Sequence, residues 1–196
     1  TGPELISYLC IKLHTMRGDP ELYRILEELG IRFDYYEHPA APTIEEALKN
    51  WKDIDSTHCK NIFLRNHKGD RHYLVILEHV GEVGIHDLEK MLKQGKLSFA
   101  SGWRLEKYLG VQAGSVSIFG LIHDQQDHVH VFLDENLKKA ERLSFHPNDN
   151  TASLVITLSS SLGPPPRFQL AAFPLLLPFA ARWKGARHTA HVGAGM

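Results

Sequence analysis

Cysteine is scarce: Cys10 and Cys59 are the only two in 196 residues. That excludes a disulfide framework and a CxxC metal site, and makes a reducing cytosol the default compartment. Long apolar runs are missing as well. No stretch reaches the ~18 apolar residues of a membrane-spanning helix, and the N-terminus lacks the basic start and apolar run of a signal peptide. No membrane partner is expected. Strong charge of either sign is absent: a net charge of -1 argues against a broad nucleic-acid-coating surface. DNA is therefore not an expected partner, although a small footprint on the end of a nucleic acid stays open. The histidines, His123, His128 and His130 among them, come with no HExxH, no HxxxH on a helix and no cysteine pair. No metal or other cofactor is expected. Ser115 and Ser117 lack a GxSxG elbow. Cys59 has no histidine partner fixed by sequence, so it reads as a structural thiol. There are no internal repeats.

What is present suits one globular domain. Hydrophobic content of 43% is enough for a real core. Charge divides the chain: all 23 acidic residues and 18 of the 22 basic ones precede Thr151, a balance of -5. Beyond it only Arg167, Arg182, Lys184 and Arg187 are charged. From Ser159 the composition turns to serine, the triple proline Pro164 to Pro166, and an apolar run broken by Pro174 and Pro178. The expected layout is an extension over 1–15 ahead of Met16, a domain over 16–158, and a proline-rich apolar tail over 159–196 outside the core.

Within the domain the elements are short. Asp19-Pro20 opens a helix with Leu22, Ile25, Leu26 and Leu29 on one face, closed by Gly30. Ile31, Phe33 and Tyr35 alternate as a strand. Thr43 to Glu46 forms a capping box ahead of Ile44, Ala47, Leu48 and Trp51 at helical spacing. Cys59 to Arg65 and His72 to Leu77 flank a polar loop with Gly69, which reads as a β-hairpin. A helix follows near Asp87 to Gln94, a strand at Leu97 to Ala100, and a helix from Ser101 to Leu109 stopped by Gly110. Gln112 to Leu121 reads as a tight, glycine-bounded loop. Strands are expected at Val129 to Leu133, Arg142 to Phe145 and Ala152 to Leu158. Single helices among short strands, without a βαβ rhythm, predict an α+β fold with a mixed, largely antiparallel sheet.

Lys60 stands out, with Asn61 beside it, in an otherwise apolar strand. A lysine there is either an edge-strand guard against aggregation or an anion contact at the floor of a cleft. The Gly114 to Gly120 loop is either a tight turn or a nest of N–H groups for a phosphate or oxyanion. His146-Pro147-Asn148 is either turn chemistry or a polar contact at a pocket rim.

Four segments taken together resemble the YbaK-like aminoacyl-tRNA deacylase family, in its free-standing prolyl-tRNA editing branch. They are Lys60 to Arg65, Leu97 to Ser101, Gly114 to Leu121 and His146 to Thr151, and the match spans about Asp19 to Ile156. The resemblance implies a mixed α+β fold and hydrolysis of alanine mischarged onto proline tRNA, without metal or triad. The implied partners are the acceptor end of mischarged tRNA(Pro) and prolyl-tRNA synthetase. By position, Lys60 matches the lysine that engages the phosphate and terminal adenosine, and Asn61 its polar neighbour. Gly114, Ser115, Val116, Ser117 and Ile118 match the loop around the scissile ester. His146 matches a histidine lining the pocket, and His38 and Thr43 the early segment that helps close it. Ile118 stands where the family carries proline, and the tail resembles nothing in it. Cysteinyl-tRNA(Pro) deacylation and a non-catalytic tRNA-binding module are the alternative readings.

Overall fold

Asp19, in an extended conformation, caps the start of the helix that follows it, its carboxylate accepting the Glu21 N–H at 2.9 Å. Pro20 follows at a position whose N–H is not needed. The computed structural model describes residues 15–41, 44–80 and 83–157. The expected tail, the extension apart from Thr15, Cys10, Thr43 and Leu158 lie outside them. Helix α1 (Pro20–Glu28) buries Leu22, Tyr23 and Leu26. Strand β1 (Phe33–Glu37) and helix α2 (Ile44–Trp51) follow. In α2 Ala47 is buried, whereas Leu48, expected to face inward, is 46% exposed.

The hairpin is longer than its apolar core suggests: β2 runs Thr57–Asn66 and β3 His72–Glu78. Then come α3 (Ile85–Leu92), β4 (Leu97–Phe99) and α4 (Gly102–Leu109). Residues Ile118–His123, expected as loop, form a 3-10 helix, capped by the Ser117 hydroxyl, which accepts the Phe119 N–H at 3.2 Å. Gly120 lets this turn seat on the end of α4, since a Cβ there would lie 2.8 Å from the Leu109 Cβ. Strands β5 (Val129–Leu133), β6 (Arg142–Phe145) and β7 (Ala152–Thr157) complete the fold, with a second 3-10 turn over Glu135–Lys139.

The seven strands form one sheet in the order β1-β7-β6-β2-β3-β5, with β4 beside β2. Pairs β1/β7, β6/β7, β2/β3 and β2/β4 are antiparallel; β2/β6 and β3/β5 are parallel. This is the expected α+β arrangement. Strand β2 alternates between two cores. Cys59 and Phe63 join one with Leu22, Leu26, Leu105, Leu109, Phe119 and Phe145. Ile62 and Leu64 join the other, under Leu88, Leu92 and Leu97. With both faces of the sheet covered there, β3 is buried from His72 to Leu77.

The edge of β2 away from β3 is divided between two strands. Thr57 and His58 pair with Leu143 and Ser144 of β6, while Leu64 to Asn66 pair with β4. Ala100 continues the β4 side by donating its N–H to the Phe63 carbonyl at 3.0 Å. Among the described residues no strand covers Cys59 to Ile62 on that edge. Lys60 is thus at an opening in the middle of the sheet, not on an edge strand.

Candidate functional site

Lys60 is half-buried at this opening and makes no ion pair or hydrogen bond with a described residue. Continuing the β2/β6 register by two residues sets it opposite His146, on the face that carries His58 and Ser144. His146 donates its Nδ1–H to the Ala152 carbonyl at 2.9 Å, which leaves Nε2 as an open acceptor. Burial, helped by nearby His38, holds its pKa below the ordinary range despite the Ala152 bond, so the ring is neutral at neutral pH.

His38 reaches the same place from the end of β1. Its Nε2 lies 3.0 Å from the Ser153 hydroxyl, its Nδ1 2.9 Å from the Pro39 carbonyl, and its ring centroid 5.9 Å from that of His146. Trp51, at the end of α2, stacks on His58 with centroids 4.3 Å apart and planes 5° from parallel. His79 meets Trp51 edge-on at 5.7 Å. His58 is 6% exposed, and burial first, then His79, pulls its pKa down to about 4. Trp51, Cys59, Ser144, Phe145, His146 and Ser153 enclose a cavity of about 10 Å³, room for roughly one water molecule. Burial and the carboxylates of Glu78 and Asp134 push the Cys59 thiol up, so it is a wall of this cavity and not a nucleophile.

The loop after α4 meets the turn that follows His146. Gly114 has φ +90°, and a Cβ there would sit 3.3 Å from Asn150 Nδ2. The Ser115 N–H donates to the Gln112 carbonyl at 3.1 Å. The next three N–H groups, of Val116, Ser117 and Ile118, make no hydrogen bond with a described residue. Val116 and Ile118 pack their side chains on the core, and Ser115 is buried. Ser117, expected at the substrate, is 0% exposed and its hydroxyl is committed to the 3-10 cap, so neither its side chain nor its main chain is open to a ligand. Asn61 Oδ1 and both amide atoms of Asn148 are buried without a partner, the kind of open polar atoms that a ligand completes.

The structure sets His38 beside His146 and, by register, Lys60 opposite it, with Asn61 next along the same uncovered edge; Gly114 meets Asn150 in the turn after His146, and Thr43 lies outside the described residues. Trp51, His58, His79 and Ser153 were not legible as site residues. A strand histidine and a helix-end tryptophan carry no local signal; it takes the packing of α2 on β2 and the pairing of β6 with both β2 and β7 to bring them together. No group of three His, Cys, Asp or Glu side chains able to hold a metal occurs among the described residues.

Residues 38–160 match the aminoacyl-tRNA editing domain family. The chain belongs to that family. The editing domain is an aminoacyl-tRNA deacylase, an ester hydrolase. It is 40% identical over 133 residues to the prolyl-tRNA editing protein ProX of Acetoanaerobium sticklandii, covering 67% of this chain and 80% of that protein. It is 35% identical over 148 residues to prolyl-tRNA synthetase associated domain-containing protein 1 of Xenopus laevis, covering 72% and 88%. The solved structure of a candidate trans-editing enzyme for prolyl tRNA synthetase shares the fold, with a TM-score of 0.55 and 20% identity over 72% of this chain and 88% of that one. No helix among the described residues is long and apolar enough to cross a membrane.

Proposed function

We propose that the editing domain acts in trans on alanyl-tRNA(Pro), hydrolysing the ester between alanine and the terminal ribose. The observation that carries the choice of alanine is the cavity of about 10 Å³ against His146. A space for one water-sized group suits a methyl side chain and is too small for a pyrrolidine ring or a thiomethyl group. Exclusion by size is the discrimination such a pocket performs well. The names of the relatives support proline tRNA as the carrier and prolyl-tRNA synthetase as the associated protein.

In this reading Lys60 binds a phosphate at the 3′ end, a use that fits an unpaired ammonium at the sheet opening. Asn61 meets the terminal nucleoside. The ester carbonyl faces the open main-chain N–H of Val116, which stabilises the oxyanion as water adds. The neutral His146 Nε2 accepts a hydrogen bond from that water or from the ribose hydroxyl beside the ester. Collapse of the tetrahedral adduct breaks the acyl–oxygen bond, and the proton lost by water goes to the ribose oxygen. An aminoacyl ester is already activated, so positioning and oxyanion stabilisation suffice. His38, held by Ser153, closes the wall beside His146.

The test is a deacylation panel on alanyl-, cysteinyl- and prolyl-tRNA(Pro) at equal enzyme. Alanine release should be fastest by far, with prolyl-tRNA(Pro) untouched. Faster cysteine release would overturn the alanine assignment, and tight binding without any release would make the chain a binding module.

A further inference from the structure

The pocket takes only an aminoacyl group, so the body of the tRNA must rest elsewhere. Six cations gather around the tip of the β2–β3 hairpin and on α4: Arg65, Lys68, Arg71, Lys96, Arg104 and Lys107. None makes an ion pair with a described carboxylate. This cluster occurs in a chain whose first 150 residues carry an excess of acid. The acids beside it in sequence are Asp70, held by Asn66, and the exposed Glu106.

The cations are built around exposed aromatic rings. Phe99 is 67% and Trp103 54% exposed, unusual for residues of that size. The Arg104 guanidinium lies 4.1 Å from the Trp103 ring centroid, and the Lys107 ammonium 6.0 Å from it and 4.9 Å from the Tyr108 ring. Arg104 is held from beneath by the neutral His72, whose Nε2 accepts its Nε–H at 3.1 Å. The hairpin tip lies against it: a Cβ on Gly69 would be 2.7 Å from Arg104 and 3.9 Å from Arg65. Beyond, Lys68, Arg71 and Lys96 line an open cleft of about 350 Å³ together with one acid, Asp70, whose carboxylate lies in the field of Lys68 and Arg71.

Through Phe99 the cluster adjoins the β2 edge that carries the opening. Phe99 pairs with Leu64 on the same edge of β2 that is open at Lys60. From Lys60 to the hairpin tip at Asn66 is six residues, about 20 Å of strand. That length is about six phosphate steps of a stacked strand.

We propose that Phe99, Trp103, Arg104 and Lys107, with the hairpin-tip cations, form the docking surface for the acceptor arm of the tRNA whose ester enters the opening at Lys60. The aromatic faces stack bases, and the unpaired cations meet phosphates, a combination that fits nucleic acid better than an acidic protein surface. This rests on the deacylase reading above, and the test separates the two.

Two full-chain variants are compared with wild type: Trp103→Ala with Lys107→Gln, and Lys68→Gln with Arg71→Gln and Lys96→Gln. Substrates are alanyl-tRNA(Pro) and the short ester 2′(3′)-O-alanyl-adenosine, and fluorescence anisotropy follows binding of uncharged tRNA(Pro). Each variant should raise the KM for alanyl-tRNA(Pro) about tenfold and weaken uncharged tRNA to a similar degree. The log–log salt dependence of binding should flatten by about one for each phosphate the variant no longer neutralises. kcat and short-ester hydrolysis should not change. Wild-type tRNA affinity in folded variants would overturn the proposal, as would an equal fall in rate on the short ester. If wild type releases no alanine at all, the anisotropy arm still decides the docking surface. Loss of synthetase binding with tRNA affinity kept would mark the surface as a protein interface and overturn it too.

Discussion

Lowering the pH from about 7 to about 5 should destabilise the fold well before its carboxylates protonate, because two histidines are buried neutral. His58 is 6% exposed, stacked on Trp51, with a pKa of about 4, set first by burial and then by His79. His72 is 0% exposed, 2.8 Å from His128 and 3.1 Å from the Arg104 guanidinium; its pKa is also about 4, from burial first and then from His128 and Arg104. In the unfolded chain both titrate near ~6.5. Between those values the unfolded state binds more protons than the folded one, so stability is complete above ~6.5 and falls as the pH drops toward ~4. Each group contributes at most ~1.4 kcal/mol per pH unit, so at pH 5 the pair removes up to about 4 kcal/mol. Against a typical total of ~5–15 kcal/mol that is a large fraction. Urea midpoints at several pH values measure it, with His58→Asn as the comparison. The wild-type midpoint should fall steeply below about pH 6.5, and the variant, though weaker at neutral pH, should fall less steeply. A midpoint flat down to about pH 5, or an unchanged slope in the variant, would refute burial of neutral histidines as the cause.

Ile118 opens the 3-10 turn and its N–H makes no hydrogen bond with a described residue, so Ile118→Pro should keep or raise activity and add up to ~1 kcal/mol of stability. A folded but inactive variant would instead identify that N–H as an oxyanion donor. Gly114→Ala should lower the alanyl-tRNA(Pro) deacylation rate at least ~10-fold with a loss of only ~1–2 kcal/mol of stability, because φ is +90° and the new methyl would press on Asn150; wild-type turnover would remove this loop from the mechanism. Exhaustive chelation should leave deacylation unchanged, and a loss restored by zinc would call for a metal step.

Much of the fold could be read locally. Asp19-Pro20 marks its helix because the cap and the missing N–H act within two residues of the chain. The hairpin around Gly69 follows from two apolar runs and a polar turn. Leu48 misled because periodicity reports which residues share a face, not how wide a stripe the partner covers. The Ile118 turn was missed because six residues show no helical period and its cap is a buried serine hydroxyl. What could not be read at all is the division of the β2 edge between β6 and β4. The first pairing joins residues more than eighty positions apart and leaves no mark on either strand. Lys60 was conspicuous as a charge in an apolar run, and the pairing explains why it is tolerated: it lies where the ladder is interrupted. Trp51, His58 and Ser153 became visible only once the packing of α2 and the pairing of β6 with β2 and β7 put them beside His146.

The most direct measurement is single-turnover deacylation of alanyl-tRNA(Pro) by wild type, Lys60→Ala and Lys60→Arg, with melting temperatures alongside. Removing a charge-assisted phosphate contact worth ~1.5–3 kcal/mol should slow alanine release at least ~10-fold in Lys60→Ala while the fold is retained. Arginine should restore only part of the rate, because a planar guanidinium does not occupy the position of a compact ammonium. His146→Ala serves as the control, slowing release through the pocket wall with less effect on affinity for the tRNA end. A folded Lys60→Ala protein that releases alanine at the wild-type rate would contradict the assignment of the sheet opening as the editing site.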